Sequence, residues 1–268
     1  MKLKIKDLSG KIVKEIELSN HFDEEYRPDL IMRAFLAIRS HKRVPYGANP
    51  MSGKWHVSKL SRRRHDYKGA YGKGISRVPR KTLWRRGMQF YWVAATAPGT
   101  VGGRRAHPPK AEKVWAEKIN IKERRKAIRS AIAATLKKEL IALRNHIIPD
   151  DFPFGVVSDI EKIEKTKELV NTLNSLGFEK ELERVNEKKV RAGKGKSRNR
   201  KYKLKKSLLL IVDNDSKIRN AVKNIPGVEV LSVKNLNVEA LSPGSHGIRL
   251  TLWSESALNK LKEEKLFM

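Results

Sequence analysis

The chain has 268 residues, with 59 lysines and arginines against 29 acidic residues and no cysteine, so its formal net charge is +30. A hydrophobic fraction of 39% supports a folded core, and no apolar run approaches the roughly 20 residues that cross a bilayer. This composition excludes disulfides, iron-sulfur clusters, thiolate zinc sites and a cysteine nucleophile, and the positive charge indicates a polyanionic partner such as nucleic acid.

The first 41 residues predict two strands and a helix. Residues 2–8 and 11–18 form two short strand patterns around the Ser9-Gly10 turn, and they lack the continuous apolar segment of a signal peptide. From Pro28 to His41, apolar side chains recur at three- and four-residue spacing. This spacing predicts a helix with proline in its first turn.

Residues 43–110 are predicted to form a long, irregular basic arm, inserted after the first helix. They hold 16 Lys or Arg and a single acid, Asp66, and glycine and proline interrupt every periodic pattern. Eight of the 18 aromatic residues of the chain also lie here. Guanidinium groups bind phosphates and flat rings stack on unpaired bases, so this mixture favours an arm that folds against RNA. Two alternatives stay open, a disordered basic loop and a small aromatic core.

The residues after the arm predict helices and buried strands in alternation. Apolar side chains three or four residues apart predict a helix over Lys122–His146. The short continuous apolar runs Phe154–Val157 and Leu208–Val212 predict strands covered on both faces. Further strands are predicted at Val228–Val233 and Ile248–Trp253, and further helices at 161–176, 178–187, 215–224 and Ser254–Lys265. The fold class is therefore α/β, a mostly parallel, doubly wound sheet flanked by helices, in a globular domain of residues 1–42 and 111–268.

Residues 188–206 form a second basic segment within the globular part, with 11 Lys or Arg and no acid. Its Gly195-Lys196-Ser197 triplet is not a phosphate-binding loop, because valine stands at position 190, where that motif needs glycine. Charge of one sign at this density favours a bound phosphate backbone, and a solvated linker is the alternative. Outside this segment and the arm, the net charge is only +4.

The residues that could carry catalysis are few and scattered. Asp213 and Asp215 follow a predicted strand, where aspartate more often caps a helix than binds a metal. The seven histidines have no metal-ligand spacing, and Ser245 lacks the first glycine of a nucleophile elbow. No catalytic residue, metal or cofactor is therefore predicted. The alternatives are a nucleic-acid-processing enzyme that uses Asp159, Asp213 and Asp215, and a free-standing protein that compacts nucleic acid.

Six segments stand out in order along the chain, Ser40–Arg43, Gly102–Lys110, Arg129–Thr135, Val156–Asp159, Lys189–Gly195 and Ser254–Leu258. Together they resemble the large-subunit ribosomal protein L-four family, archaeal type. The resemblance covers essentially the whole chain. It implies a structural protein of the cytoplasmic ribosome that binds large-subunit ribosomal RNA, supports subunit assembly and contacts neighbouring ribosomal proteins. It further implies an arm tip that lines the peptide exit tunnel and meets the nascent peptide, with no membrane and no small-molecule substrate.

Carried onto this sequence, the resemblance places the arm at 43–110 and its tip at about 77–92. The residues expected to bind ribosomal RNA are Arg43, Lys54, Trp55, Lys59, Arg62, Arg63, Arg64, Lys68, Lys73, Arg77, Arg104, Arg105, His107, Lys110, Lys188, Lys189, Arg191, Lys194, Lys196, Arg198, Arg200 and Lys201. Those expected at the tunnel tip are Arg80, Lys81, Trp84, Arg85 and Arg86. Family tips are commonly rich in glycine and arginine, and this one is bulkier.

Overall fold

A computed structural model describes residues 1–214 and 217–268 of the chain. The strands are β1 (Lys2–Lys6), β2 (Ile12–Glu17), β3 (Arg80–Arg86), β4 (Gln89–Ala94), β5 (Phe154–Val156), β6 (Lys189–Val190), β7 (Tyr202–Lys203), β8 (Leu209–Val212), β9 (Glu229–Ser232) and β10 (Thr251–Ser254). The helices are α1 (Pro28–His41), α2 (Ile121–Ala134), α3 (Lys138–Ala142), α4 (Thr166–Ser175), α5 (Glu179–Asn186), α6 (Ile218–Val222), α7 (Val238–Leu241) and α8 (Glu255–Glu263). The chain divides into two compact units, the body (Met1–Lys42 with Ala116–Met268) and the inserted unit (Arg43–Trp115).

The body is built on a six-stranded sheet in the order β2-β1-β5-β10-β8-β9. Only the β1–β2 pair is antiparallel, and every other neighbouring pair is parallel. Every residue of β8 and β10 is buried, as expected for strands that are covered on both faces. The prediction of an α/β fold with a mostly parallel sheet is confirmed. The last strand of the chain, β10, lies between β5 and β8, so the C-terminal segment completes the middle of the sheet.

Trp253 of β10 occupies the centre of the core with 1% of its surface exposed. Its ring packs edge-on against Phe22 at 5.4 Å between centroids, and its Nε1 donates a hydrogen bond to Thr135 Oγ1 at 3.4 Å. Thr135 follows α2, and its hydroxyl donates to the Ile132 carbonyl at 2.6 Å. A threonine hydroxyl that bonds the preceding turn in this way competes with the helical hydrogen bonds. The prediction of one continuous helix over Lys122–His146 was therefore wrong, since α2 ends at Ala134 and α3 is a separate short helix.

Other predicted elements of the body differ from the observed ones at their ends. The strand predicted from Ile248 begins at Thr251, because the Ile248 and Arg249 amides donate to the Leu140 and Leu241 carbonyls rather than to a neighbouring strand. The helix predicted at 215–224 is observed as α6, and Asp215 lies outside the described residues. No helix in the described part of the chain is both long enough and apolar enough to cross a membrane.

The inserted unit contains a β-hairpin, formed by β3 and β4. The prediction of irregular structure throughout 43–110 was wrong at this point. Residues 89–94 read Gln-Phe-Tyr-Trp-Val-Ala, and aromatic and β-branched side chains of this kind favour a strand. The chain reverses at Gly87, whose φ of +55° lies in the left-handed region that glycine adopts at no steric cost.

No large hydrophobic side chain of the inserted unit is buried, although all of its residues are described. The buried residues there are small or polar, namely Ser61, Gly69, Ala70, Arg80 and Ala95. The hydrophobic core of the chain draws all its residues from the body. Because burial of apolar surface is the main stabilising contribution to a fold, the inserted unit depends on turns, ring contacts and its hairpin.

Candidate nucleic-acid interface

The inserted unit exposes most of its cations. It holds 17 Lys or Arg against two acids, Asp66 and Glu112. Of the residues predicted there to bind ribosomal RNA, Lys68 and Arg104 are half-buried and the others are exposed. Asp66 accepts hydrogen bonds from the Ser61 hydroxyl and the Tyr67 amide. These hydrogen bonds lower the pKa of Asp66. The exposed surface of the unit is thus strongly cationic.

The β3–β4 hairpin has one packed face and one open face. On the packed face, Phe90 lies 5.3 Å from Tyr67 and 5.3 Å from Trp92 between ring centroids. On the open face, Trp84 and Tyr91 are cross-strand partners and remain 59% and 65% exposed. Alternation of side chains along a strand produces this division. The hairpin therefore presents aromatic rings to its surroundings.

The five residues predicted at the tunnel tip do not share one environment. Trp84, Arg85 and Arg86 are exposed near the turn, and Lys81 is half-buried. Arg80 is buried, and its guanidinium donates to the Ser76 carbonyl at 2.6 Å and to the Ser76 hydroxyl at 3.1 Å. Its guanidinium carbon also lies 5.5 Å from the centre of the Trp92 ring. Arg80 therefore braces the base of the hairpin from inside.

The two ends of the inserted unit meet in an aromatic cluster. Tyr46 and Trp115 stack with an interplanar angle of 18° and 5.8 Å between centroids. The guanidinium carbon of Arg43 lies 3.6 Å from the centre of the Trp115 ring, and Lys113 Nζ lies 4.3 Å from it. Lys113 and Trp115 lie beyond the predicted arm, which ends at residue 110, so the sequence did not predict them as part of it. The acids at 112 and 117 end the run of positive charge there, and only the isolated tryptophan gave a signal.

The second basic segment forms a small exposed hairpin on the body. Strands β6 and β7 pair, and the Arg191 amide donates to the Lys201 carbonyl at 2.8 Å. Asn199 turns the chain with a φ of +60°. Arg191 is half-buried, and the other residues of this segment predicted to bind RNA are exposed.

A buried carboxylate holds the base of the second basic segment. Glu181 accepts hydrogen bonds from His146 Nδ1 at 2.7 Å, from the Ile147 amide at 3.0 Å and from both Arg184 Nε and Nη2. Ser207, just after the segment, also donates to it at 3.1 Å. Burial alone raises the pKa of Glu181, but these hydrogen bonds outweigh it and lower the pKa to about 2. The carboxylate is therefore ionised at neutral pH.

Arg184 connects this carboxylate to the neighbouring backbone, and Arg249 bonds the backbone just after the segment. Arg184 Nη2 also donates to the Lys206 carbonyl at 3.0 Å, so it ties helix α5 to the end of the segment. Arg249 is fully buried, and burial lowers its pKa to about 10. It donates to the Ser207 carbonyl at 2.5 Å and the Gly227 carbonyl at 2.7 Å. The segment is thus presented from a fixed, charged base.

The carboxyl ends of the parallel strands carry no catalytic arrangement among the described residues. Glu161 occupies this edge and accepts hydrogen bonds from the Asp213 amide at 3.0 Å and the Ser254 hydroxyl at 2.7 Å. Asp213 pairs with Lys260, and Asp159 pairs with Lys162 at 2.7 Å. In the described parts of the chain, no three His, Cys, Asp or Glu side chains form a group that could hold a metal ion. Glu161 therefore ties the ends of β8 and β10 together.

Comparison with known proteins gives a consistent result over the whole chain. A sequence profile described as the Ribosomal protein L4/L1 family matches residues 16–264. The chain is 52% identical over 268 residues to a protein of Nanoarchaeum equitans named large ribosomal subunit protein uL4, and the match covers 100% of both chains. Proteins with the same name from Archaeoglobus fulgidus and Methanocaldococcus jannaschii are 46% and 43% identical, and each match covers 98% of this chain and 99% of the relative. Matches of this extent and identity show that the chain belongs to the ribosomal protein L4/L1 family.

Proposed function

We propose that this chain is a structural protein of the large ribosomal subunit, which binds large-subunit ribosomal RNA through the inserted unit and the second basic segment. The observation that carries the proposal is the inserted unit itself, which combines a net charge of +15 with the lack of any large buried hydrophobic side chain among residues 43–115. Such a unit repels itself in isolation and gains stability against a polyanion. The names of the relatives point to the same particle.

Residues 43–110 form the arm in this proposal, and the body forms the part that contacts neighbouring ribosomal proteins. The break between compact units after Lys42 supports the first boundary of the arm. Strands β8 and β10, buried along their whole length, support a doubly wound arrangement of helices around the sheet. As a member of a ribosomal protein family, the chain is not an enzyme. The chain acts in the cytoplasmic ribosome.

The hairpin tip is the part of the inserted unit that we assign to the peptide exit tunnel. Trp84 and Arg86 are exposed near the turn, so they are available to a passing nascent peptide. Arg85 is exposed as well, although its guanidinium donates a hydrogen bond to the Tyr67 hydroxyl at 2.5 Å. Arg80 is excluded from this role because its guanidinium is engaged inside the unit. A photoreactive residue at Met88, which is 71% exposed at the turn, would test the assignment in large subunits carrying a stalled peptide. A crosslink to the peptide supports the tip, and crosslinks only to ribosomal RNA would refute it.

Binding of the full-length protein to transcribed ribosomal RNA tests the main proposal. We expect tighter binding to large-subunit than to small-subunit RNA, with an affinity that falls steeply as salt rises. Replacing Arg62, Arg63 and Arg64 with glutamine should lower the logarithmic salt slope by about 0.7 to 0.9 for each lost phosphate contact.

The matched control removes the same charge from the body, by glutamine at the exposed Lys2, Lys4 and Lys11. We expect this control to leave the slope close to that of the wild type. Equal loss in both triple variants would refute the assigned interface. Equally tight binding to duplex DNA would instead support the alternative of a protein that compacts nucleic acid.

A further inference from the structure

A cavity of about 590 Å³ opens beside the aromatic cluster that joins the two ends of the inserted unit. Tyr46, Trp115, Pro108 and Pro109 give it flat, apolar walls, and Arg105 and Lys110 are among the cations that line it. Its volume lies within the range of about 300 to 1,000 Å³ that is typical of sites for small organic ligands. No residue of the hairpin tip lines this cavity, so the cavity is separate from the surface that we assign to the exit tunnel.

The cavity walls are held in place by the chain itself. The Ala48 amide donates to the Pro109 carbonyl at 3.0 Å, which fixes the segment that carries Tyr46 against the segment that leads to Trp115. Gly47 allows this close approach, since a Cβ atom there would lie 2.6 Å from the Ala111 nitrogen. Arg43 and Lys113 lie against the Trp115 ring at cation–π distance. The aromatic surface therefore exists before any ligand arrives.

One further observation indicates that the cavity can accept a flat ligand. Tyr46 stacks on Trp115 with one part of its ring while 54% of its surface stays exposed. An exposed ring in this position offers a face on which a second flat group can stack.

We propose that this cavity binds a single unstacked nucleotide of ribosomal RNA, with its base on the Tyr46 ring and its phosphate beside Arg105 and Lys110. A nucleotide combines the two features that the cavity matches, which are a flat base and negative charge. A base within a duplex is already stacked on both sides, so the ligand is a nucleotide from a loop, bulge or chain end. This inference rests on the proposed function and names the form of RNA that the base of the arm recognises.

The experiment compares stacking with charge in the full-length protein bound to transcribed large-subunit RNA. Loss of one stacked base weakens single-strand binding by about 5- to 150-fold. We expect Tyr46→Ala to weaken binding by a factor in this range and to leave the salt slope unchanged, since no phosphate contact is lost. Tyr46→Phe keeps the ring and should bind as the wild type does. Arg105→Gln should instead lower the salt slope by about 0.7 to 0.9.

Crosslinking identifies what occupies the cavity. Ultraviolet irradiation of the complex, followed by trypsin and RNase digestion, should attach a nucleotide to the peptide of residues 44–54, which contains Tyr46. Affinity of Tyr46→Ala within twofold of the wild type would overturn the inference, and so would a large loss of salt slope in that variant. In intact large subunits, a crosslink from this peptide to another protein would also overturn it. If the wild-type protein itself fails to prefer large-subunit RNA, the proposed function fails rather than the cavity assignment alone.

Discussion

Glutamine at position 181 would test whether one buried carboxylate holds the second basic segment on the body. Glu181→Gln leaves Arg184 and its hydrogen-bonded neighbours without their negative partner. Removing one partner of a buried ion pair costs about 3–5 kcal/mol. The pKa gives a second figure, because a value of about 2 against 4.5 in the unfolded chain, at about 1.4 kcal/mol for each pKa unit, corresponds to about 3 kcal/mol. We expect the free energy of unfolding to fall by about 3 kcal/mol at pH 7.

The pH dependence of this loss follows from the direction of the pKa change. The pKa of Glu181 is lower in the folded state, so its contribution is complete above pH 4.5 and is lost as the pH falls towards 2. At pH 3, about 2 of the 3 kcal/mol is already gone from the wild type. The difference in stability between the wild type and Glu181→Gln should therefore narrow to about 1 kcal/mol at that pH.

Urea unfolding followed by tryptophan fluorescence measures the loss of unfolding free energy at pH 7 and at pH 3, since Trp253 is buried in the core of the body. Glu187→Gln is the control, because Glu187 directly precedes the second basic segment and is exposed, with Lys205 as its partner at 2.8 Å. An exposed pair of this kind contributes little, so the control should lose much less stability. A loss below about 1 kcal/mol for Glu181→Gln at pH 7, or an equal loss at both pH values, would refute the reasoning.

Three further outcomes follow from the packing. In hydrogen-exchange mass spectrometry of the free protein, the inserted unit should exchange faster than strand β8; equally slow exchange across residues 60–100 would contradict this. Gly227→Ala should destabilise the body in urea unfolding more than Gly193→Ala does. Both glycines have a positive φ, but only a Cβ atom at position 227 would meet another atom, the Lys205 carbonyl oxygen at 2.4 Å. Equal losses of stability in the two variants would exclude this close contact as the cause. Glu161→Ala should cost about 2 kcal/mol by thermal unfolding because it leaves backbone and hydroxyl donors unpaired, and an unchanged melting temperature would count against this.

The body was largely predictable because burial on both faces of a strand leaves a direct signal in the sequence. Leu208–Val212 is apolar at every position, and β8 is buried at every position. The break between α2 and α3 left no such signal, because it contains neither proline nor glycine. It depends on Thr135, whose hydroxyl bonds the preceding turn and accepts from Trp253, a residue 118 positions away. A contact of that kind can be known only when the fold is known.

The candidate interface was predictable in its charge and not in the orientation of its side chains. Composition alone located the two basic segments, and most of their cations are exposed. It could not separate Arg80, which is buried, from Arg85 and Arg86, which are exposed on the same strand. All three are arginines in one run of positive charge, and the contacts of Arg80 with Ser76 and with the Trp92 ring distinguish it from the other two. Trp115 was missed for a related reason, because its partners Arg43 and Tyr46 lie about 70 residues earlier in the chain.

The distribution of charge and of apolar burial along the chain leads to one physical consequence. Outside the two basic segments, the chain is nearly neutral. The body also holds the whole hydrophobic core, so we expect the body to fold without a partner. The inserted unit has a net charge of +15 and no comparable core, so its own contacts must overcome repulsion among its cations. Salt screens that repulsion, whereas it weakens binding to phosphates. Rising salt should therefore order the free unit while it releases the unit from RNA, which is a combination that a uniformly basic surface would not produce.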